Sequence, residues 1–365
     1  MFKNKSFHIV EKFKYFLIVA LCVILIGGVF MIVNAASGRN VMNFGIDFTG
    51  GAVIEIDLGD FGRDQTNRNI IKEDLDSFIE GKGYKIDGSM QYSDSSDGGV
   101  TYEYRLRYQY KGTVVENESQ FVKDINDVLC AEITDELARL FEENQTLVSA
   151  NATLPENQEQ LNQTVTAYSV SKSTADSLIV MAIIALLVAI VVMLIYIVIR
   201  FTASSALAAV CALVHDVLIM VALTTVVSTL FDMAVNQTFV AAVITIVGYS
   251  INATIIIFDR IREELKTSSA SLKTDEEIAN LAIKDTLNRT ILTTITTLVM
   301  VLVLVFLSVQ TIREFIIPII FGLLAGAFSS VLLAPALWVN FRKIARNAKQ
   351  KKDAKNGYAT KSENK

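Results

Sequence analysis

The sequence predicts a polytopic α-helical membrane protein with six transmembrane helices and one extracytoplasmic α+β domain. Of its 365 residues, 52% are hydrophobic, more than is usual for a soluble domain. These residues collect in stretches of about 20, the length that crosses a hydrocarbon core of ~30 Å. Basic and acidic side chains are also separated along the chain, which is typical of charge sorted across a bilayer and not of nucleic-acid binding.

Six apolar stretches give the predicted transmembrane spans, which we number one to six in chain order. They are 15–34, 177–199, 204–227, 238–258, 290–308 and 315–340. The first stretch is longer than the apolar part of a signal peptide, so an uncleaved first helix is expected. Because the number of spans is even, both termini are predicted to lie on the same side of the membrane.

The distribution of Lys and Arg predicts which side that is. Basic residues cluster in the tail 1–14, the loop 259–289 and the tail 341–365, whereas the loop between spans three and four has none. By the positive-inside rule, these three regions are cytoplasmic. Residues 36–172 carry more acidic than basic side chains and are predicted to form the extracytoplasmic domain, while 177–340 contain spans two to six.

The extracytoplasmic region shows strand and helix patterns in alternation. The predicted strands are 52–58, 85–92, 100–110 and 165–170. The predicted helices are 67–82 and 117–143, and the polar stretch 144–163 is predicted to be a loop. The resulting order β-α-β-β-α-β is that of a ferredoxin-like domain.

Three short motifs stand in order on the predicted elements. FGIDFTGG (44–51) follows the first span, HDV (215–217) lies in span three, and GYSIN (248–252) runs into FDRIRE (258–263) in span four. Together they resemble the signatures of SecF proteins, in the SecD/SecF family of the RND superfamily. The resemblance covers most of the chain in layout, and it is specific around these motifs and spans five and six.

This resemblance implies a subunit of the bacterial protein-export machinery. SecF pairs with SecD, a similar six-span protein, and associates with the SecYEG channel, with YajC and YidC as further candidate partners. It uses the proton or sodium motive force, and no bound cofactor or metal, to draw a translocating preprotein out across the cytoplasmic (inner) membrane. Two departures stand out: Ala253 replaces a frequent Asp, and Val170-Ser171-Lys172 replaces a frequent Val-Gly-Pro.

Asp216 is the most informative single residue of the sequence, because it is a charged residue near the middle of span three. A carboxylate at that depth costs roughly 2.5–3.5 kcal/mol on insertion scales, so something must stabilise it. It is either a titrating group in an ion path or a neutral, hydrogen-bonded structural residue. His215, about 100° round the helix, is either a proton relay or an interhelical hydrogen-bond donor.

Span four carries a polar stripe that ends in charged residues. Asn252 must find a partner in hydrocarbon, and both helix packing and ion coordination fit it. Asp259 and Arg260 lie at the cytoplasmic end of the span. For Arg260 the resemblance implies a role in proton flow, whereas snorkelling to lipid headgroups is the simpler interpretation. Ala253 leaves Arg260 without the carboxylate that many family members have two turns above it.

Two further groups complete the candidate residues. Thr290, Thr294 and Thr297 form a stripe on span five that either lines a water or ion path or bonds to carbonyls of its own helix. Asp47, Thr49, Gly50 and Gly51 lie at the outer membrane surface, where the paired glycines allow positive φ angles. That motif is either a turn that sets the domain on its first helix or a moving hinge.

Other classes of protein were weighed against protein export. A six-span chain is also compatible with half of an RND-type exporter of small molecules or lipids. A hydrolytic or redox enzyme is not expected, because HExxH, GxSxG and P-loop motifs are absent. Cys22, Cys130 and Cys211 have no disulfide or zinc spacing and are expected to be buried structural thiols.

Overall fold

The computed structural model describes residues 9–37, 40–57, 65–86, 91–94, 100–110, 113–114, 118–143, 165–231, 233–267, 272–307 and 310–362. In chain order, its helices are α1 (Phe13–Ala36), α2 (Ile46–Thr49), α3 (Gln65–Gly81), α4 (Glu118–Lys123, π-helical Asp124–Leu129 and Cys130–Glu143), α5 (Lys172–Arg200), α6 (Ala203–Leu230), α7 (Gln237–Lys266), α8 (Asp275–Leu307) and α9 (Gln310–Phe328, π-helical Ser329–Leu333 and Ala334–Ser362).

Six of these helices, α1 and α5 to α9, are long and apolar enough to cross a membrane. They correspond in order to predicted spans one to six, so the protein is a multi-pass membrane protein as predicted. Most of the six extend beyond the predicted apolar stretch at one or both ends.

The interior of the bundle is formed by α6, α7 and α9. In α6, 56% of the most apolar stretch is buried, compared with 0% in α5. Small side chains allow this close packing: Ala208, Ala209 and Ala212 of α6 are all buried, and a Cβ at Gly322 of α9 would collide with Ile246 of α7. The side chain of Ile246 therefore packs directly against the backbone of α9 at this point.

Helix α8 begins at Asp275, well before the predicted span. Thr274 and Glu277 cap its start reciprocally: the Thr274 hydroxyl accepts from the Glu277 N–H (3.2 Å), and the Glu277 carboxylate accepts from the Thr274 N–H (2.8 Å). This is a capping box. The residues that follow this cap form the first part of α8, and Ile278 and Ile283 are buried in the core of the bundle.

The outer domain is built on one six-stranded sheet. Its strands are β1 (Gly51–Asp57), β2 (Tyr84–Ile86), β3 (Gln91–Asp94), β4 (Val100–Tyr110), β5 (Thr113–Val114) and β6 (Val165–Val170). The main order is β2-β4-β1-β6 with antiparallel neighbours throughout, and β3 and β5 also pair with β4. Alternate residues of β1, Ala52, Ile54 and Ile56, share one core with the apolar sides of α3 and α4.

Some expectations for this domain and for the cysteines need correction. The predicted strand 85–92 is two strands, β2 and β3, and the dipeptide Asp87-Gly88 that separates them in sequence is a turn-forming pair. The predicted loop 144–163 lies outside the described residues. Cys22 and Cys211 are exposed on the outside of the helix bundle, not buried. Cys130 is partly buried, and burial raises the pKa of its thiol to about 11.

Candidate functional site: a buried carboxylate in the helix bundle

Asp216 lies at the centre of the bundle with none of its surface exposed. Its Oδ2 accepts hydrogen bonds from the Ser250 hydroxyl of α7 and from the Ser329 hydroxyl of α9, the latter at 2.8 Å. Its Oδ1 lies 2.9 Å from Nδ1 of His215. The carboxylate therefore joins three helices, α6, α7 and α9, at one point inside the apolar part of the protein.

Local backbone features bring the two serines to this point. Ser329 begins the π-helical stretch of α9, and such π-bulges are frequent at functional sites because they widen one helical turn and redirect its side chains. One turn earlier, a Cβ at Gly326 would lie 3.2 Å from Cβ of Ser250. The small residue at 326 therefore lets α9 come close enough to α7 for both serines to reach Asp216.

His215 contacts the carboxylate although the two side chains leave the helix in different directions. Its ring stacks on Phe328, with ring centroids 5.9 Å apart. When Asp216 is ionised, Nδ1 must carry the proton that it shares with Oδ1. The other ring nitrogen, Nε2, is buried and has no hydrogen-bond partner within the described residues.

A second buried polar atom without a partner lies farther along α6. Among the residues that the structure describes, the hydroxyl of Thr224 has no hydrogen-bond partner, and Thr224 is fully buried. Thr224 is two turns from Asp216, toward the end of α6 that adjoins the outer domain. A buried polar group without a partner costs about 1–3 kcal/mol, so His215 and Thr224 mark two positions where a water molecule would be stabilised.

The chemistry of the site follows from the opposed effects on the charge of Asp216. Burial in apolar surroundings disfavours the carboxylate, whereas the hydrogen bonds it accepts favour it. Protonation turns one carboxyl oxygen into a donor. A proton on Oδ1 is accommodated only if Nδ1 of His215 gives up its own, so the two neighbouring side chains share their protons, while the two serines hold α7 and α9 to Oδ2.

Arg260 lies in a second cluster, near the end of α7 where it adjoins the first turns of α8. Its Nε and Nη2 donate to Oδ2 of Asp285 at 3.0 and 2.6 Å. Glu263 and Glu264 complete the cluster, at 2.8 Å from the guanidinium in each case. The carboxylate missing at Ala253 is therefore supplied by the next helix, from a residue to which the sequence assigned no chemistry.

The structure separates Asp259 and Asn252 from the buried carboxylate. Asp259 lies 3.5 Å from Arg200 at the cytoplasmic end of α5. Asn252 is exposed on the outer surface of the bundle, whereas Ser250, two residues earlier, points inward to Asp216. The residues missed by the sequence reasoning are thus Ser250, Ser329 and Asp285.

The threonine stripe of α8 has its hydroxyls occupied. Thr290 and Thr294 are buried and Thr297 is partly buried. Each hydroxyl donates to the carbonyl four residues earlier in the same helix, at 2.9–3.2 Å. These contacts support the interpretation that the threonine hydroxyls bond to carbonyls of their own helix, and not the interpretation that they line a water or ion path.

The signature motif forms a tight turn between α2 and β1. Gly50 and Gly51 have φ angles of 71° and 139°, which side chains with a Cβ rarely adopt. Thr49 donates to the Gly45 carbonyl at 3.2 Å. Asp47 accepts from the backbone N–H of Gln237, the first residue of α7, at 3.0 Å, so the motif is bonded to the helix bundle and not only to its own domain.

Comparison with known proteins agrees with this architecture. The family "Protein export membrane protein SecD/SecF, C-terminal" matches residues 150–344, and the SecD/SecF GG motif matches residues 36–59. The protein translocase subunit SecF of Cereibacter sphaeroides is 31% identical over 87% of this chain and 85% of its own length. That of Alicyclobacillus acidocaldarius is 38% identical over 49% of this chain and 58% of its own length.

A solved structure shares the fold over nearly the whole chain. The crystal structure of SecDF from Thermus thermophilus, described as a translocon-associated membrane protein, superposes with a TM-score of 0.63 at 25% identity. The match covers 93% of this chain and 39% of the Thermus chain. This chain therefore corresponds to less than half of that longer protein.

The fold and the site define a multi-pass membrane protein that holds a carboxylate inside its helix bundle, below an outer α+β domain. The family match extends over more than half of the chain and includes the helices that surround Asp216. The chain belongs to the SecD/SecF family of protein-export membrane proteins.

Proposed function

We propose that this protein is the SecF-like subunit of the Sec protein translocase in the bacterial cytoplasmic membrane. It couples the proton or sodium motive force to the export of preproteins on the trans side, together with SecD and the SecYEG channel. YajC and YidC are further candidate partners. The observation that carries the proposal is the fully buried Asp216, held by Ser250 and Ser329 from two other helices.

Proton binding at Asp216 supplies the coupling step. One proton crossing 100 mV releases about 2.3 kcal/mol, and one hydrogen bond to a charged group contributes about 1.5–3 kcal/mol. A single proton is therefore sufficient to exchange one of the contacts of Asp216. Because the two serine contacts join α6 to α7 and α9, exchange of either one shifts the helices relative to one another.

A route for the proton follows the unpartnered polar atoms of α6. Thr224 lies toward the outer side and Nε2 of His215 lies beside the carboxylate. Water at these two positions would form part of a route between the outer side and Asp216. On the cytoplasmic side, the carboxylates around Arg260 receive the proton, Arg260 holds them in place, and Asp259 and Asn252 remain candidates for its transfer.

We place both termini in the cytoplasm and the α+β domain outside, since the basic residues lie in the tails and in the loop between spans four and five. We also assign the ferredoxin-like fold to this domain. The antiparallel strand order β2-β4-β1-β6 and the two helices that pack on one face of β1 support that assignment.

A six-helix chain in this family corresponds to half of a twelve-helix unit. The match to only 39% of the Thermus SecDF chain supports SecD as the second half. In this arrangement the protein is a gradient-driven transport subunit and neither a hydrolytic nor a redox enzyme.

The replacement Asp216→Asn tests the proposal. It keeps the shape of the side chain but removes the titrating group, so export of a reporter preprotein should fall to the level measured without an ion gradient, with normal membrane insertion. Asp176→Asn, which alters an exposed carboxylate at the start of α5, is the matched control and should export normally. Unimpaired export by Asp216→Asn would refute the coupling role, and altered drug or lipid sensitivity with normal secretion would favour an exporter.

A further inference from the structure

A set of contacts at the outer ends of the membrane helices ties the bundle to the outer domain. We call it the outer clasp, and it consists of residues 43–47, residues 234–237 and Glu314. The first segment leads from α1 into β1, the second joins α6 to α7, and Glu314 lies near the start of α9. Of these residues, the sequence analysis singled out only the signature residue Asp47.

The two segments of the clasp pair as short strands. The N–H of Val235 donates to the carbonyl of Asn43 at 2.8 Å, and the N–H of Gly45 donates to the carbonyl of Val235 at 3.1 Å. Phe44 and Val235 form a parallel β-bridge. The segment that leads into the domain is therefore bound to the α6–α7 connection through its backbone.

Glu314, which is part of α9, forms hydrogen bonds with one of these two paired segments. It is only 5% exposed, and its two oxygens accept from the backbone N–H of Ala234 at 3.2 Å and from the side-chain amide of Asn236 at 2.6 Å. The same Asn236 side chain lies directly against Gly45, where any Cβ would collide with it. At the other end, Asp47 accepts from the N–H of Gln237 at 3.0 Å.

The helices joined by the clasp are those that bind the buried carboxylate. Helix α7 carries Gln237 and Ser250, and α9 carries Glu314 and Ser329. In each helix, the clasp residue and the serine are about 20 Å apart along the axis, at 1.5 Å per residue. Both helices run without a break between those points, α9 through Pro318, so a displacement at Asp216 reaches the clasp along two helices.

We propose that Glu314 is the positioning residue that holds the outer domain to α7 and α9, so that the clasp stays closed and the domain follows these helices. The coupling to export rests on the function proposed above, whereas the holding role does not. The signature motif is in this view a fixed attachment, and the movement of the domain is that of the helices beneath it.

The holding role is tested by the spread of distances between the domain and the bundle. Spin labels at Val128→Cys on α4 and Phe231→Cys at the end of α6 occupy exposed positions, with Cys22, Cys130 and Cys211 replaced by Ser. In the full chain with its SecD partner, Glu314→Ala should widen the distance distribution at least twofold. Ile312→Ala, an exposed position half a turn away on α9, is the control and should leave it narrow.

A disulfide in place of the Glu314 contacts distinguishes loss of the clasp from misfolding of the variant. In the Glu314→Ala chain, the pair Asp47→Cys and Gln237→Cys should restore export on oxidation and lose it again on reduction. A narrow distribution in Glu314→Ala would overturn the clasp, and failure of the oxidised pair to restore export would overturn its link to export. Normal export by Asp216→Asn, with a widened distribution in Glu314→Ala, would instead refute the proposed function alone.

Discussion

Arg260 has its ionic partner on the neighbouring helix α8, since Ala253, two turns earlier on its own helix, offers no carboxylate. Both Nε and Nη2 bind one oxygen of Asp285, so the contact joins α7 to α8. Such two-point pairs are geometrically more specific than a single contact. The guanidinium is 34% and the Asp285 side chain 45% exposed, so water screening limits the contribution of the pair.

We therefore predict a modest coupling between these two residues. In a double-mutant cycle of Arg260→Ala and Asp285→Ala, the unfolding free energy should show a coupling of about 0.5–1 kcal/mol. The pair Arg260 and Glu263, within one helix, serves as control and should give a smaller coupling of about 0.3 kcal/mol. Equal coupling in both cycles would contradict a specific role of Asp285.

Asp216 could be predicted from the sequence because a charged residue in an apolar span has few harmless explanations. Ser250 and Ser329 could not, since serine is tolerated on any face of a membrane helix. Their convergence depends on the π-helical turn at 329 and on the depth at which α7 and α9 pack, and neither feature follows from hydropathy. The contact between His215 and Asp216 could not be predicted either. Adjacent residues leave a helix about 100° apart, but their side chains can still turn toward each other.

At the scale of elements, apolar patterns located the membrane helices but not their ends. Helix α8 begins at Asp275 because Thr274 and Glu277 form a capping box, whereas the apolar stretch begins only near residue 290. The buried Ile278 and Ile283 add tertiary packing to that start. The pattern Thr274-x-x-Glu277 is a recognisable helix start in the sequence, whereas hydropathy alone marks only the apolar part of α8.

Removal of this cap should loosen the start of α8. Thr274→Ala removes the hydroxyl that accepts from the Glu277 N–H, at a cost of about 1 kcal/mol, so amide exchange over 275–283 should become about fivefold faster. Thr296→Ala, an exposed threonine in the same helix, should leave exchange in that segment unchanged. Equal rates in wild type and Thr274→Ala would show that packing alone sets the start of α8.

On the scale of the whole molecule, the bundle is asymmetric. Helices α1, α5 and α8 present mainly apolar side chains at the surface, as expected for contact with lipid. On α7 the exposed face carries Asn252 and Thr245. The Thr245 hydroxyl is satisfied by the carbonyl of Ala241 at 2.8 Å, whereas Asn252 makes no hydrogen bond with the residues that the structure describes.

An amide side chain in hydrocarbon without a partner is costly, so the exposed face of α7 is expected to be covered by the second six-helix half. Asn252→Cys should therefore crosslink to SecD in native membranes. The experiment pairs this variant with single cysteines placed along SecD and adds a short bifunctional thiol reagent. Ile183→Cys on α5, the helix with 0% of its apolar stretch buried, faces lipid in this arrangement and should not crosslink. Crosslinking from Ile183→Cys with none from Asn252→Cys would place the partner on the opposite face and leave the amide of Asn252 to be satisfied by lipid or water.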